Sequence, residues 1–172
     1  MVIEGYFVVF GVETELFPGA FEEIAPQALD KTMDNDIRAL TNHNTTLVLG
    51  RNKNDTAKFN LDKTGLFSSI TINPKDSDAV NTHARVERGD VSQCSFGFNI
   101  VKEEVEERAD GTIKWLITEI DLHEVSVCTF PAYEQTGVQA RHADFEQRQE
   151  QRKSELLAHK KNQLKEKIKK WH

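Results

Sequence analysis

"VSQCSFGFNIVKEEVEERADGTIKWLITEIDLHEVSVCTF", residues 91–130, decides the fold. Two long runs rich in β-branched and aromatic residues flank RADGT at 108–112. Such side chains pack well on a pleated surface, so each run reads as a strand. The Asp110-Gly111 pair supplies residues that accept the positive φ of a tight reversal, so the two strands form a hairpin.

Upstream, VIEGYFVVFG (2–11) and GLFSSITI (65–72) are further strands, and IRALTNHNTTLVLGR (37–51) reads as strand, break, strand. In LFPGAFEEIAPQALDKT (16–32), Pro18 and Gly19 make a turn before a short helix-like piece that Pro26 interrupts. DSDAVNTHARVERG (76–89) is a helix, with Asp76 or Ser77 as its cap and Gly89 just past its end. Six or seven strands and few helices give a mostly β, α+β fold with a largely antiparallel, barrel-like sheet.

From about residue 143 the chain turns helical, highly charged and poor in Gly and Pro. The expected division is a β domain over 1–142 and a charged helical extension over 143–172. That extension holds nine Lys/Arg and five Asp/Glu, so it carries about +4 while the rest carries about −10. Leu157, Leu164 and Trp171 recur every seven residues with Ile168 between them. This narrow stripe is either a contact for a partner helix or part of a solvated tail.

No apolar run has the length to cross a bilayer, and the amino terminus has no basic-then-apolar leader, so the chain reads as soluble and intracellular. An acidic globular part disfavours nucleic acid. Cys94 and Cys128 lie in strand-like runs without CxxC or Cys/His spacing. They read as two buried, unreactive thiols, with no metal and no disulfide expected.

Alternation along the first long strand puts Ser92, Cys94, Phe96 and Phe98 on an apolar face and Gln93, Ser95, Gly97 and Asn99 on an open one. Ser95 is therefore the residue placed to react, with Gly97 removing bulk beside it. A serine hydroxyl needs a base, and the base needs an orienting group. His142, His159 and His172 lie in or near the tail, and His83 lies on the helix. His43 sits where a strand breaks into polar residues, and His123 sits within a strand. In the second long strand, alternation groups Leu116, Thr118, Ile120, Leu122, Glu124, Ser126 and Cys128, among which Glu124 is the only charge. A buried carboxylate requires a partner such as an imidazole, unless a bulge turns it to water. Alternation also leaves Ser95 on a polar face and Glu124 on an apolar one, so twist, closure or a bulge must reconcile them.

The motifs IEGYFVVFG, FPGAF, LTNHN followed by LVLGR, GLFSSITI, GDVSQCSFGF and LHEVSVCTFPAYEQTGV occur in one order over roughly residues 3–140. In that order the chain resembles the tailed-phage prohead proteases, capsid-maturation serine proteases related in fold to the herpesvirus assemblins. The resemblance implies a closed or nearly closed β-barrel flanked by helices. It implies Ser95 in CSFGF as nucleophile and His43 in NHN as base. Glu124 in the EVSV strand becomes the third member, with His123 as the fallback. No cofactor or metal is implied, and the oxyanion hole stays unassigned between N–H groups near Gly97 and the turn after Phe130. The implied substrates are the scaffolding segment of the major capsid protein and the protease itself, cut inside the procapsid in the host cytoplasm by a homo-oligomeric enzyme. The tail would dock to scaffold or another copy and be removed by self-cleavage. The rival readings are a non-catalytic assembly factor that binds scaffold, and an esterase, which the missing G-x-S-x-G elbow disfavours.

Overall fold

The computed structural model describes residues 1–130 and 135–169. Among these described residues, nine strands and two α-helices run in the order β1 (Val2–Val9), β2 (Thr14–Phe17), β3 (Ala20–Ile24), β4 (Arg38–Thr41), β5 (Asn44–Arg51), β6 (Ala57–Leu61), β7 (Gly65–Thr71), α1 (Ser77–Arg88), β8 (Gln93–Glu107), β9 (Ile113–Cys128) and α2 (Gln135–Lys169). The fold is mostly β with two helices. β1, β7 and β6 form an antiparallel three-stranded sheet. The larger sheet has the order β2-β3-β9-β4-β5, and β8 pairs with β9 as well.

The hairpin at the centre is as the sequence reads: β8 and β9 pair along their whole length, and Gly111 at φ 94 makes the reversal. α1 follows its caps. The Asp76 side chain accepts the Asp78 and Ala79 N–H groups, and Gly89 at φ 87 closes the other end.

Two expectations are corrected. The strands do not close into a barrel; two separate sheets are present among the described residues. The reason lies in β9. Its edge away from β8 is divided between two short strands, β3 along 113–117 and β4 along 124–127. Both pair in parallel, so the large sheet is mixed, while the other five strand pairings among the described residues are antiparallel. Finally, residues 20–24 form a strand and not a helix-like piece, because the Phe17–Ala20 pairing makes the Pro18-Gly19 turn a hairpin that delivers β3 to β9.

The main core lies between the sheets and α1, with Phe7, Leu29, Leu66, Ile70, Leu122 and Val125 among its buried members. A smaller cluster of Ala20, Ile113 and Trp115 is packed by Phe17 and by Phe145 from α2. The helix begins at Gln135, and its first half is tied to the sheet. Arg141 lies 4.8 Å over the Trp115 ring and bridges Glu22 and Glu103, while Arg152 donates to the Arg108 and Ala109 carbonyls. Farther along, Leu156 and Leu157 of α2 are more than half exposed. Of the heptad stripe, the side chains of Leu164 and Ile168, and Trp171 altogether, lie outside the described residues.

The long strand β9 does not alternate simply. Its core-facing buried residues fall at 113, 115, 117, then 120 and 122, then 125 and 127. Each step of three coincides with a register shift against β8, between Lys102/Glu103 and between Gly97/Phe98. These are β-bulges, each placing one extra residue in β9. They reset which face a side chain takes.

Candidate active site

The bulge between Leu122 and Glu124 resolves the conflict between the two strand faces. It keeps Ile120 and Leu122 in the core but turns Glu124, Ser126 and Cys128 to the opposite face, while Val125 and Val127 take over the core positions. Across the ladder Ser95 stands opposite Ser126, and Gly97 opposite Glu124. Directly opposed residues share a face, so the serine and the carboxylate lie on one surface of the hairpin.

His43 reaches that surface from the β4–β5 turn. Thr41 pairs with Asn44, leaving Asn42 and His43 as the two central residues, at φ 50 and φ 57. Two successive positive values define a type I′ turn, in which Asn is favoured and His tolerated. The turn is lashed to β9 and to Thr129 just past it by three hydrogen bonds. The Asn42 N–H donates to the Val127 carbonyl at 2.9 Å, the Thr129 N–H to Asn42 Oδ1 at 3.0 Å, and the His43 N–H to Ser126 Oγ at 3.1 Å. Behind it, the Thr41 and Thr82 hydroxyls meet at 3.3 Å, joining the turn to α1.

So held, His43 Nδ1 lies 2.5 Å from Glu124 Oε1. Facing an ionised carboxylate, Nδ1 carries the proton, which leaves the Nε2 lone pair as the acceptor in the neutral ring. Nε2 is buried and has no hydrogen-bond partner among the described residues. The side chains are 22% and 13% exposed, so water screens the pair only weakly. Ser126 Oγ donates to the other carboxylate oxygen, Oε2, at 2.6 Å. Ser95 is 9% exposed, and its hydroxyl is not bonded to Nε2 in this structure.

Gly97 has a different purpose from the one its sequence context suggests. A Cβ there would meet Glu124 Oε1 at 2.5 Å, so the space it leaves is taken by the carboxylate rather than held open for a ligand backbone. His123 is the extra residue of the bulge itself. Its side chain is half exposed and 3.9 Å from Asp121, so the structure brings Glu124, not His123, to His43. Cys128 is fully buried; burial, with Glu124 and Cys94 adding to it, pushes its thiol up to about 11. It is a protonated, unreactive neighbour. Both cysteines are free. Ser126 and Asn42 were not singled out in the sequence, although Ser126 sits two residues from Glu124 and Asn42 is a favoured first residue of a type I′ turn.

A family model described as caudovirus prohead serine protease matches residues 1–151. The chain belongs to that family. Among curated proteins, the prohead protease of Enterobacteria phage HK97 is 30% identical over 143 residues. Those residues cover 81% of this chain and 59% of the HK97 protein, so the chain spans less than two thirds of that relative's length. No solved structure matches. The His43–Glu124 pair lies on the surface of the hairpin that carries Ser95. No helix of the described residues is long and apolar enough to cross a membrane.

Proposed function

We infer that the protein is a serine endopeptidase with Ser95 as nucleophile, His43 as general base and Glu124 as the group that orients and supports the imidazolium. The observation that carries this is the 2.5 Å bond from Nδ1 to Glu124 beside a buried Nε2 with no other partner among the described residues. Ser95 Oγ passes its proton to Nε2 as the oxygen attacks a peptide carbonyl. The same proton is then given to the leaving amine, and water hydrolyses the acyl-enzyme after a second transfer through His43. The hydroxyl–imidazole bond has to close when substrate is bound, as catalytic hydrogen bonds often tighten only in the complex.

Family membership supports the phage major capsid protein's scaffolding segment as the substrate, together with other copies of the enzyme, cut within the procapsid in the host cytoplasm. Homo-oligomerisation, fold kinship with the herpesvirus assemblins, and a separable tail that docks to scaffold and is trimmed by self-cleavage belong to the same proposal, as does the absence of a nucleic-acid or membrane partner.

The test is co-expression with the cognate capsid precursor, followed by intact-mass analysis of wild type and Ser95→Ala. Discrete fragments with wild type and none with the variant are expected. Identical fragments from both remove Ser95 from the role and favour an assembly factor that binds scaffold without cutting.

A further inference from the structure

The geometry points to Ser126 as a positioning residue that holds the base and its carboxylate in one arrangement; this rests on the roles proposed for Ser95, His43 and Glu124. Ser126 is fully buried, and its hydroxyl offers one proton and two lone pairs. The proton goes to Glu124 Oε2 at 2.6 Å, and a lone pair takes the His43 backbone N–H at 3.1 Å. One hydroxyl therefore grips both partners of the Nδ1–Oε1 bond from behind.

The division of the carboxylate results from this grip. With Oε2 committed to Ser126, the carboxylate cannot turn about its terminal torsion without breaking a bond, and Oε1 stays on Nδ1. His43 needs the support because it sits at φ 57, a region unusual for a residue with a side chain. The same contact keeps the two facing serines apart in chemistry. Ser126 stands opposite Ser95, but its proton already belongs to Glu124, so it does not compete as a nucleophile.

The full chain is compared with its Ser126→Ala variant. In wild type the His43 Nδ1 proton is expected as a low-field proton resonance, and the His43 amide as slow to exchange with solvent deuterium. In Ser126→Ala the resonance moves upfield or broadens away, the amide exchanges fast, and kcat on the capsid precursor falls about 10- to 100-fold with KM little changed. A variant that keeps the wild-type resonance and kcat overturns the assignment. A wild-type His43 amide that exchanges freely overturns it without any substitution, so the test does not depend on the variant folding. Should wild type cut nothing, proteolysis fails as the function, while the resonance and exchange data still decide the clamp.

Discussion

Replacing Gly97 with alanine adds one methyl group at a place where the structure fixes its effect. The backbone there is not in the left-handed region, so alanine is admissible, and it gains about 0.5–1 kcal/mol over glycine in a strand. Its Cβ would stand 2.5 Å from Glu124 Oε1, 3.1 Å from Cγ and 3.2 Å from the carboxyl carbon. Ordinary contact requires the oxygen to retreat by about 1 Å. The oxygen cannot then keep the place it now holds 2.5 Å from His43 Nδ1, and the bond is broken or badly misaligned. A misplacement of about 1 Å is worth about 10²-fold in rate, and loss of the orienting carboxylate about 10⁴-fold. Gly97→Ala is therefore expected to lower kcat by between about 10² and 10⁴, with KM and melting temperature near wild type. Single-turnover cleavage of the capsid precursor reads the rate. In a Glu124→Ala background the same methyl group should have almost no further effect, because the oxygen it displaces is already gone. A Gly97→Ala enzyme with wild-type kcat, or two substitutions whose effects multiply, would refute the argument.

Three other outcomes are expected. Arg141→Met strips Glu22 and Glu103 of their cation, and the loss of a largely buried pair costs roughly 2–4 kcal/mol in a urea titration. Burial already holds the Glu22 carboxyl above its ordinary value. Without Arg141 it rises further, and a raised acid favours the fold only below its unfolded pKa. The variant's deficit should thus be largest at pH 7–8 and shrink towards pH 4.5; a deficit that grows on acidification contradicts this. Because burial and Glu124 keep the Cys128 thiol protonated until about 11, both cysteines of the native protein should resist a disulfide reagent at pH 8 and react at once in denaturant. Truncation after residue 152 should leave the melting temperature within about 2 °C of the full chain. Truncation after residue 142 removes the Phe145, Arg148 and Arg152 contacts and should lower it by several times that.

What the sequence made legible was local chemistry. Asp110-Gly111 announced the hairpin, Asp76 and Gly89 bounded α1, and the break at Asn42-His43 separated β4 from β5. Glu124 stood out as the one charge in its set, and the structure gives it the partner its burial demands. The hidden part was set by distant pairing. Nothing in AFEEI says that it will lie parallel to IKWLI, and a Pro-Gly turn serves a hairpin or a helix entry equally well. The bulges were invisible for a related reason. Strict alternation was the only phase the sequence offered, and an inserted residue such as His123 has no distinguishing composition. That is why Ser95 and Glu124 fell on different faces by alternation and on one face in the fold.

The two bulges make β9 behave like a message with a reading frame. Trp115 and Val125 are in one frame, Ile120 and Leu122 in the other, and the second shift restores the first. Deleting His123 itself would remove the second bulge and still leave Leu122 opposite Phe98 and Glu124 opposite Gly97, whereas deleting Val125 would carry Ser126 to the core face and Val127 to the reaction surface. A compensating insertion a residue or two downstream would restore the phase of the residues beyond it but not of the stretch between. Substitutions along this strand can be absorbed one at a time, whereas changes in its length can be tolerated only where they preserve the frame in which Glu124 is read.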